Sequence, residues 1–190
     1  MSRFSLLASA AVATLLLASI PASAESMSEK TVNVGGAPMY PSKNIVQNAV
    51  NSKDHTTLVA AVKAAGLVDT LQSAGPFTVF APTNAAFAKL PAGTVDNLVK
   101  PENKDTLTKI LTYHVVPGRL TAVALMKAIK DGEGTAKFKT VAGGDIWIKQ
   151  AGPGKLSVTD AKGDVAIVTI PDVLQSNGVI HVIDTVLLPM

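Results

Sequence analysis

Two hydrophobic periodicities divide this chain near Gly132, and that division constrains its fold more than any other feature. Before Gly132, apolar residues recur at helical spacing. Leu58, Ala61, Val62 and Ala65 share one face of a segment that Ser52 or Asp54 can cap, with Gly66 where a helix C-terminal glycine belongs. Leu107, Ile110 and Leu111 repeat the pattern, as do Leu125, Met126 and Ile129 behind the capping residue Thr121. Thr83 caps a short helix reaching Lys89, stopped by Pro91, and another turn of helix covers 94–99. The exceptions are 77–81, a strand by its aromatic and β-branched content, and 113–116, which reads as extended. After Gly132, short extended runs alternate with turn clusters. The run 145–150 puts Ile146 and Ile148 on one side and Trp147 on the other. Leu156 and Val158 resume the alternation, 165–170 continues it, and 179–188 is a long apolar final strand. Helices in front and antiparallel strands behind give an α+β order.

The first residues are expected to lie outside that fold. Arg3 precedes an uninterrupted run of apolar and small residues from Phe4 to Ile20, Pro21 breaks it, and Ala22-Ser23-Ala24 supplies a cleavage pattern. Residues 1–24 therefore read as a cleaved signal peptide, which makes the mature chain secreted or periplasmic. Residues 25–44, with Gly35-Gly36, Pro38 and Pro41, read as a flexible leader, and 45–190 as a single domain. No later run is apolar enough to span a bilayer, so no transmembrane segment is expected in the mature chain. The chain has no cysteine, so an exported domain of this kind depends on its core, without disulfide staples or thiolate chemistry. Its formal net charge of +3 includes Arg3, and its lysines are scattered singly, which gives no footprint for nucleic acid.

Signatures of chemistry are missing. His55, His114 and His181 never pair at i+3 or i+4, so no metal is expected, and His181 reads as a hydrogen-bonded residue of the final strand. There is no Gly-x-Ser-x-Gly elbow, and Gly35-Gly36 and Gly143-Gly144 lack the spacing and lysine of a phosphate loop. The carboxylates show no local pairing that would suggest a glycosidase. Neither catalytic residues nor a cofactor are expected. Tyr40 and Trp147 are candidates for an aromatic sugar platform, although a tryptophan on a hairpin also serves to cover a core edge. Met27, Met39 and Met126 are too widely spaced for soft-metal binding and read as packing or leader residues.

The stretch from Gly75 to Phe87, GPFTVFAPTNAAF, resembles the first signature of the fasciclin (FAS1) domain family, and Ser176 to Pro189, SNGVIHVIDTVLLP, resembles the second. Between them, Tyr113-His114-Val115-Val116-Pro117-Gly118 is similar to the family's central tyrosine-histidine segment. The resemblance covers about 45–189 and implies a wedge of two β-sheets packed with several short helices. Phe77, Val79 and Phe87 then belong to the core, and Thr83 and Asn84 satisfy backbone groups where strand becomes helix. The second signature becomes a central strand with Asn177-Gly178 as its leading turn. In animal relatives the segment matching Tyr113 and His114, and an Asp-Ile pair matching Asp172 and Val173, are linked to integrin binding. The resemblance thus marks these four residues as partner-binding candidates, against the alternative that Tyr113 and His114 pack and bond beneath the sheet.

The resulting expectation is an exported binding or adhesion module. Its partner would be a protein or polysaccharide at a cell surface, in an extracellular matrix or in the envelope. The alternative is a protein, or an enzyme, that holds a small hydrophobic ligand or cofactor in a pocket between helices and sheet. The sequence assigns no oligomeric state.

Overall fold

The computed structural model describes residues 30–190. The expected signal peptide, and the leader as far as residue 29, lie outside the described residues. From residue 32 the leader is not loose. Val32–Val34 (β1) and Ala37–Met39 (β2) pair as a hairpin across Gly35-Gly36, both with positive φ, and Val34 and Met39 are buried. Two central residues with positive φ give a turn whose twist matches the strands, which is why two glycines stand there.

Seven short helices follow the hairpin or interrupt the strands: α1 (Ile45–Ala49), α2 (Thr56–Ala65), α3 (Val68–Gln72), α4 (Asn84–Ala88), α5 (Thr94–Leu98), α6 (Lys104–Tyr113) and α7 (Ala122–Asp131). Their ends follow local chemistry. Asn44 and Gln47 form a reciprocal capping box on α1. Thr83 Oγ1 accepts from the Ala86 N–H and Thr121 Oγ1 from the Ala124 N–H, as expected. Gly66 closes α2 in the left-handed conformation. The expected cap of α2 is different: neither Ser52 nor Asp54 caps it, because Ser52 Oγ instead meets His55 Nδ1 at 2.9 Å.

The other strands are β3 (Phe77–Pro82), β4 (Val115–Pro117), β5 (Thr135–Lys139), β6 (Asp145–Gly152), β7 (Lys155–Thr159), β8 (Val165–Gln175) and β9 (Gly178–Ile183). They form a seven-stranded sheet in the order β4-β3-β9-β8-β7-β6-β5, accompanied by the small β1-β2 sheet. The fold is α+β, with two sheets of very unequal size. The back half is not purely antiparallel. Strand β9 lies parallel to β3, with Phe77 opposite Gly178 and Pro82 opposite Ile183, so the two signature stretches sit side by side at the centre.

That centre is covered on both faces, which is why β9 is buried at every residue instead of alternating. Val79, Ala81, Ile180 and Val182 face a core shared with α1, α2, α3, α4, α6 and the hairpin. Phe80 and Ile183 face a second core, where α7 packs with Ile146, Ile148, Leu156 and Val158 of the outer strands. Phe77 is only half-buried, whereas Val79 and Phe87 are core residues as the resemblance implied.

Candidate functional site

The tyrosine-histidine segment lies at the end of α6, where the helix runs into β4. Tyr113 is fully buried and His114 is 2% exposed. The Tyr113 hydroxyl donates to the Asp145 carbonyl at 2.6 Å and accepts from the Ala161 N–H at 2.9 Å. Its ring packs where a Cβ on Gly144 would lie 2.7 Å from Tyr113 Cε2, so the absence of a side chain at Gly144 makes the space. Burial holds the Tyr113 hydroxyl above its ordinary pKa. His114 Nδ1–H donates to the Ile110 carbonyl, and Nε2 accepts from the Leu187 N–H, each at 2.9 Å. Those two bonds define a neutral tautomer, and burial pushes its pKa down to about 4. Asp160 acts beside it. Its Oδ1 accepts from the Lys162 and Asp164 N–H groups, and its Oδ2 accepts from the Leu188 N–H. Together Tyr113, His114 and Asp160 tie α6, the turn after β7 and the C-terminal segment into one unit.

Asp172 and Val173 occupy a different place. The chain bulges between Ile170 and Val173, and Asp172 adopts φ 55°. Asp172 Oδ1 accepts from the Ala122 N–H in the first turn of α7, and its own N–H donates to His181 Nδ1. His181 Nε2–H donates to the Leu120 carbonyl, so the structural role expected for this histidine holds, and burial lowers its pKa. Val173 is 1% exposed opposite Ile180. No hydrogen bond joins the two pairs. Phe80 lies between them, its N–H on the His114 carbonyl and its ring stacked on His181 at 5.6 Å. Tyr113, His114 and Val173 are therefore enclosed in the folded domain, and only Asp172 is partly accessible. Packing beneath the sheet is what the geometry shows for Tyr113 and His114. Replacing Tyr113 by Phe removes both hydroxyl bonds and leaves two backbone groups short of partners. We expect a loss of about 1–2 kcal/mol in urea unfolding.

An exposed constellation does exist, on the outward face of β5, β6 and β7. Because Ile146 and Ile148 point into the core, Trp147 and Lys149 point outward, and the register sets Lys137 opposite Trp147 and Thr159 on its other side. Lys137 Nζ stands 5.8 Å from the Trp147 ring. Both Lys137 and Lys139 reach Asp145, at 3.0 and 3.6 Å, and the Lys137 bond leads in holding that carboxylate below its ordinary pKa. Tyr40, the other expected platform residue, carries Lys43 over its ring and sits on the far side of the chain order, beside α1. The sequence reading missed Asn48, a buried residue that accepts from the Tyr40 N–H and donates to the Tyr40 carbonyl and to Gln175 Oε1. Only its place on the inner face of α1 could have marked it.

A fold with this central pairing, and with these buried signature residues, defines a fasciclin-type module. The chain belongs to the fasciclin domain family, whose sequence profile matches residues 53–189. Members of that family are adhesion-related. The chain is 50% identical over 161 residues to protein sll1483 of Synechocystis sp., covering 85% of this chain and 82% of that one. It is 39% identical over 127 residues to the cell surface glycolipoprotein MPB83 of Mycobacterium bovis, covering 65% of this chain and 48% of that one. A solved FAS1 domain pair from the insect cell adhesion molecule fasciclin I superposes with a TM-score of 0.68 at 20% identity, over 84% of this chain and 58% of that one. Among the described residues no helix is long and apolar enough to cross a membrane.

Proposed function

We propose that the chain is an exported, non-enzymatic binding module. It would contact a protein or polysaccharide at a cell surface, in a matrix or in the envelope through the outward face of β5, β6 and β7. The observation that carries this reading is the half-buried Trp147 flanked by Lys137 and Lys149. An aromatic ring with cations beside it offers apolar contact to a sugar or side chain and charge to an acidic group. Family membership and the leading 24 residues, with their cleavage pattern, support export. Tyr113 and His114 are buried, so we seek the contact on this face; Asp172, half-buried beside the start of α7, remains a separate candidate.

The test is saturable binding of the labelled full chain to envelope fragments and matrix polysaccharide at moderate salt, where weak surface attraction is screened. Trp147→Ala should weaken that binding about tenfold while leaving the unfolding midpoint nearly unchanged, as expected for an interface anchor. Absence of saturable binding to any such material would refute the module reading. Binding that is indifferent to Trp147 would refute the face.

A further inference from the structure

Between the hairpin, helices α1 to α3 and the inner face of β3 and β9 lies a cavity of about 80 Å³. Its walls are almost wholly apolar, with Val62, Leu71, Val79 and Ile180 among them. One polar side chain stands out on the wall. His55 is 3% exposed; its Nδ1 meets Ser52 Oγ at 2.9 Å, and its Nε2 has no hydrogen-bond partner. The Ala81 carbonyl lies near the ring and favours its protonated form without making a well-aligned hydrogen bond to Nε2, and burial outweighs it, so the His55 pKa is lowered.

A buried ring nitrogen without a partner costs on the order of 1–3 kcal/mol, so native structures rarely keep one without a reason. An apolar cavity of this kind does not hold water well, because a buried water needs two to four polar partners. The volume is about half that of an engineered apolar cavity known to take up benzene. Space, apolar lining and one orphaned polar atom coincide at a single place. The outward sheet face lies elsewhere, and His114, which also stands on the wall, already has both ring nitrogens bonded to the chain.

We propose that this cavity is a binding site for a small neutral molecule, or the neutral end of a larger one, apolar except for one oxygen that hydrogen-bonds to His55 Nε2. A charged ligand fits poorly, since its charge would lie among apolar walls; Lys63, the charged residue at the rim, is solvent-exposed. A hydroxyl oxygen suits either tautomer of His55, because it can both donate and accept. Ser52 then acts as a positioning residue, holding the ring through Nδ1. The site is independent of the surface contact proposed above.

The probe is isobutanol, with isobutane as its apolar match, added to the full chain and followed by NMR. Isobutanol should shift the methyl signals of Val62, Leu71, Val79 and Ile180 saturably and move the His55 Nε2 signal with the same midpoint. Isobutane should shift the same methyls and leave Nε2 in place. His55→Phe should lower the affinity for isobutanol about tenfold, the worth of one hydrogen bond, and leave that for isobutane within about twofold. If that variant does not fold, the Nε2 signal of the unaltered protein decides alone. Methyl signals that do not respond to isobutanol would overturn the site. Methyl shifts with a stationary Nε2 would overturn the role of His55.

Discussion

Acidifying the folded domain from pH 7 to pH 4 should remove about 3 kcal/mol of stability through His114 alone. The direction follows from the tautomer. His114 is neutral in the fold because Nε2 must stay unprotonated to accept the Leu187 N–H, and because burial disfavours the charged ring. Its folded pKa of about 4 lies below the ordinary 6.5 of the unfolded chain. Above pH 6.5 neither state binds the proton and the contribution is complete. Between 6.5 and about 4 only the unfolded chain takes up the proton, so stability falls as pH falls through that window. Protonation also breaks the bond that anchors the C-terminal segment, so the loss should appear first in amide exchange at Leu187 and Leu188. His55 and His181 are lowered in the same direction by burial, and they add to the slope. Urea unfolding at several pH values gives the total, and the ring signals of His114 give the site. A His114 midpoint near 6.5, or stability flat from pH 7 to 4, would contradict the assignment.

How much of this could be read in the sequence depends on whether the signal was local. The buried face of α2, the caps Thr83 and Thr121 and the left-handed Gly66 were legible because each is set within one or two turns of chain. Asn84 was legible in kind, since it was expected to satisfy backbone groups. Its reach was not: it accepts from the Thr57 N–H and donates to the Lys53 carbonyl, residues nearly thirty positions away. Strand β5 escaped notice because, of its five residues, only Ala136 is fully buried, and alternation needs more than one clear point. Strand β8 runs on past the expected end at Ile170. Pro171 falls at a bulge, where the ladder needs no N–H from it. The last strand ends at Ile183, not Leu188, because the Leu187 and Leu188 N–H groups go to His114 and Asp160 instead of to a neighbouring strand. The parallel pairing of β3 with β9 was invisible for a deeper reason. A strand buried on both faces loses its alternation, and nothing in its residues names the neighbour. The candidate site shows the same limit: Tyr113 and His114 stood out by type and order, but only the fold places them inside.

Replacing Gly178 by Ala should cost about 4 kcal/mol or cause outright failure to fold. Gly178 opens β9 directly opposite Phe77. A Cβ there would lie 2.1 Å from the Phe77 carbonyl oxygen and 3.0 Å from its carbon, contacts that only backbone movement can relieve. Movement is blocked on both sides. The Phe77 N–H donates to the Asn177 carbonyl at 3.0 Å, and a Cβ on Gly75 would lie 2.2 Å from that same carbonyl oxygen. Asn177 then locks the junction to the helical layer. Its Oδ1 accepts from the Ile45 N–H, and its Nδ2 donates to the Leu71 and Ser73 carbonyls. The two signature stretches therefore meet backbone to backbone, and a glycine on each side is what lets the parallel strands approach. Asn177→Ala tests the same junction from its polar side. Losing three bonds in a buried place should lower stability by about 3 kcal/mol without a steric clash. Thermal and urea unfolding of both variants, with circular dichroism to establish folding, separate the two effects. A Gly178→Ala protein within about 1 kcal/mol of the parent would mean that the β3–β9 junction yields far more readily than close-packed backbone should.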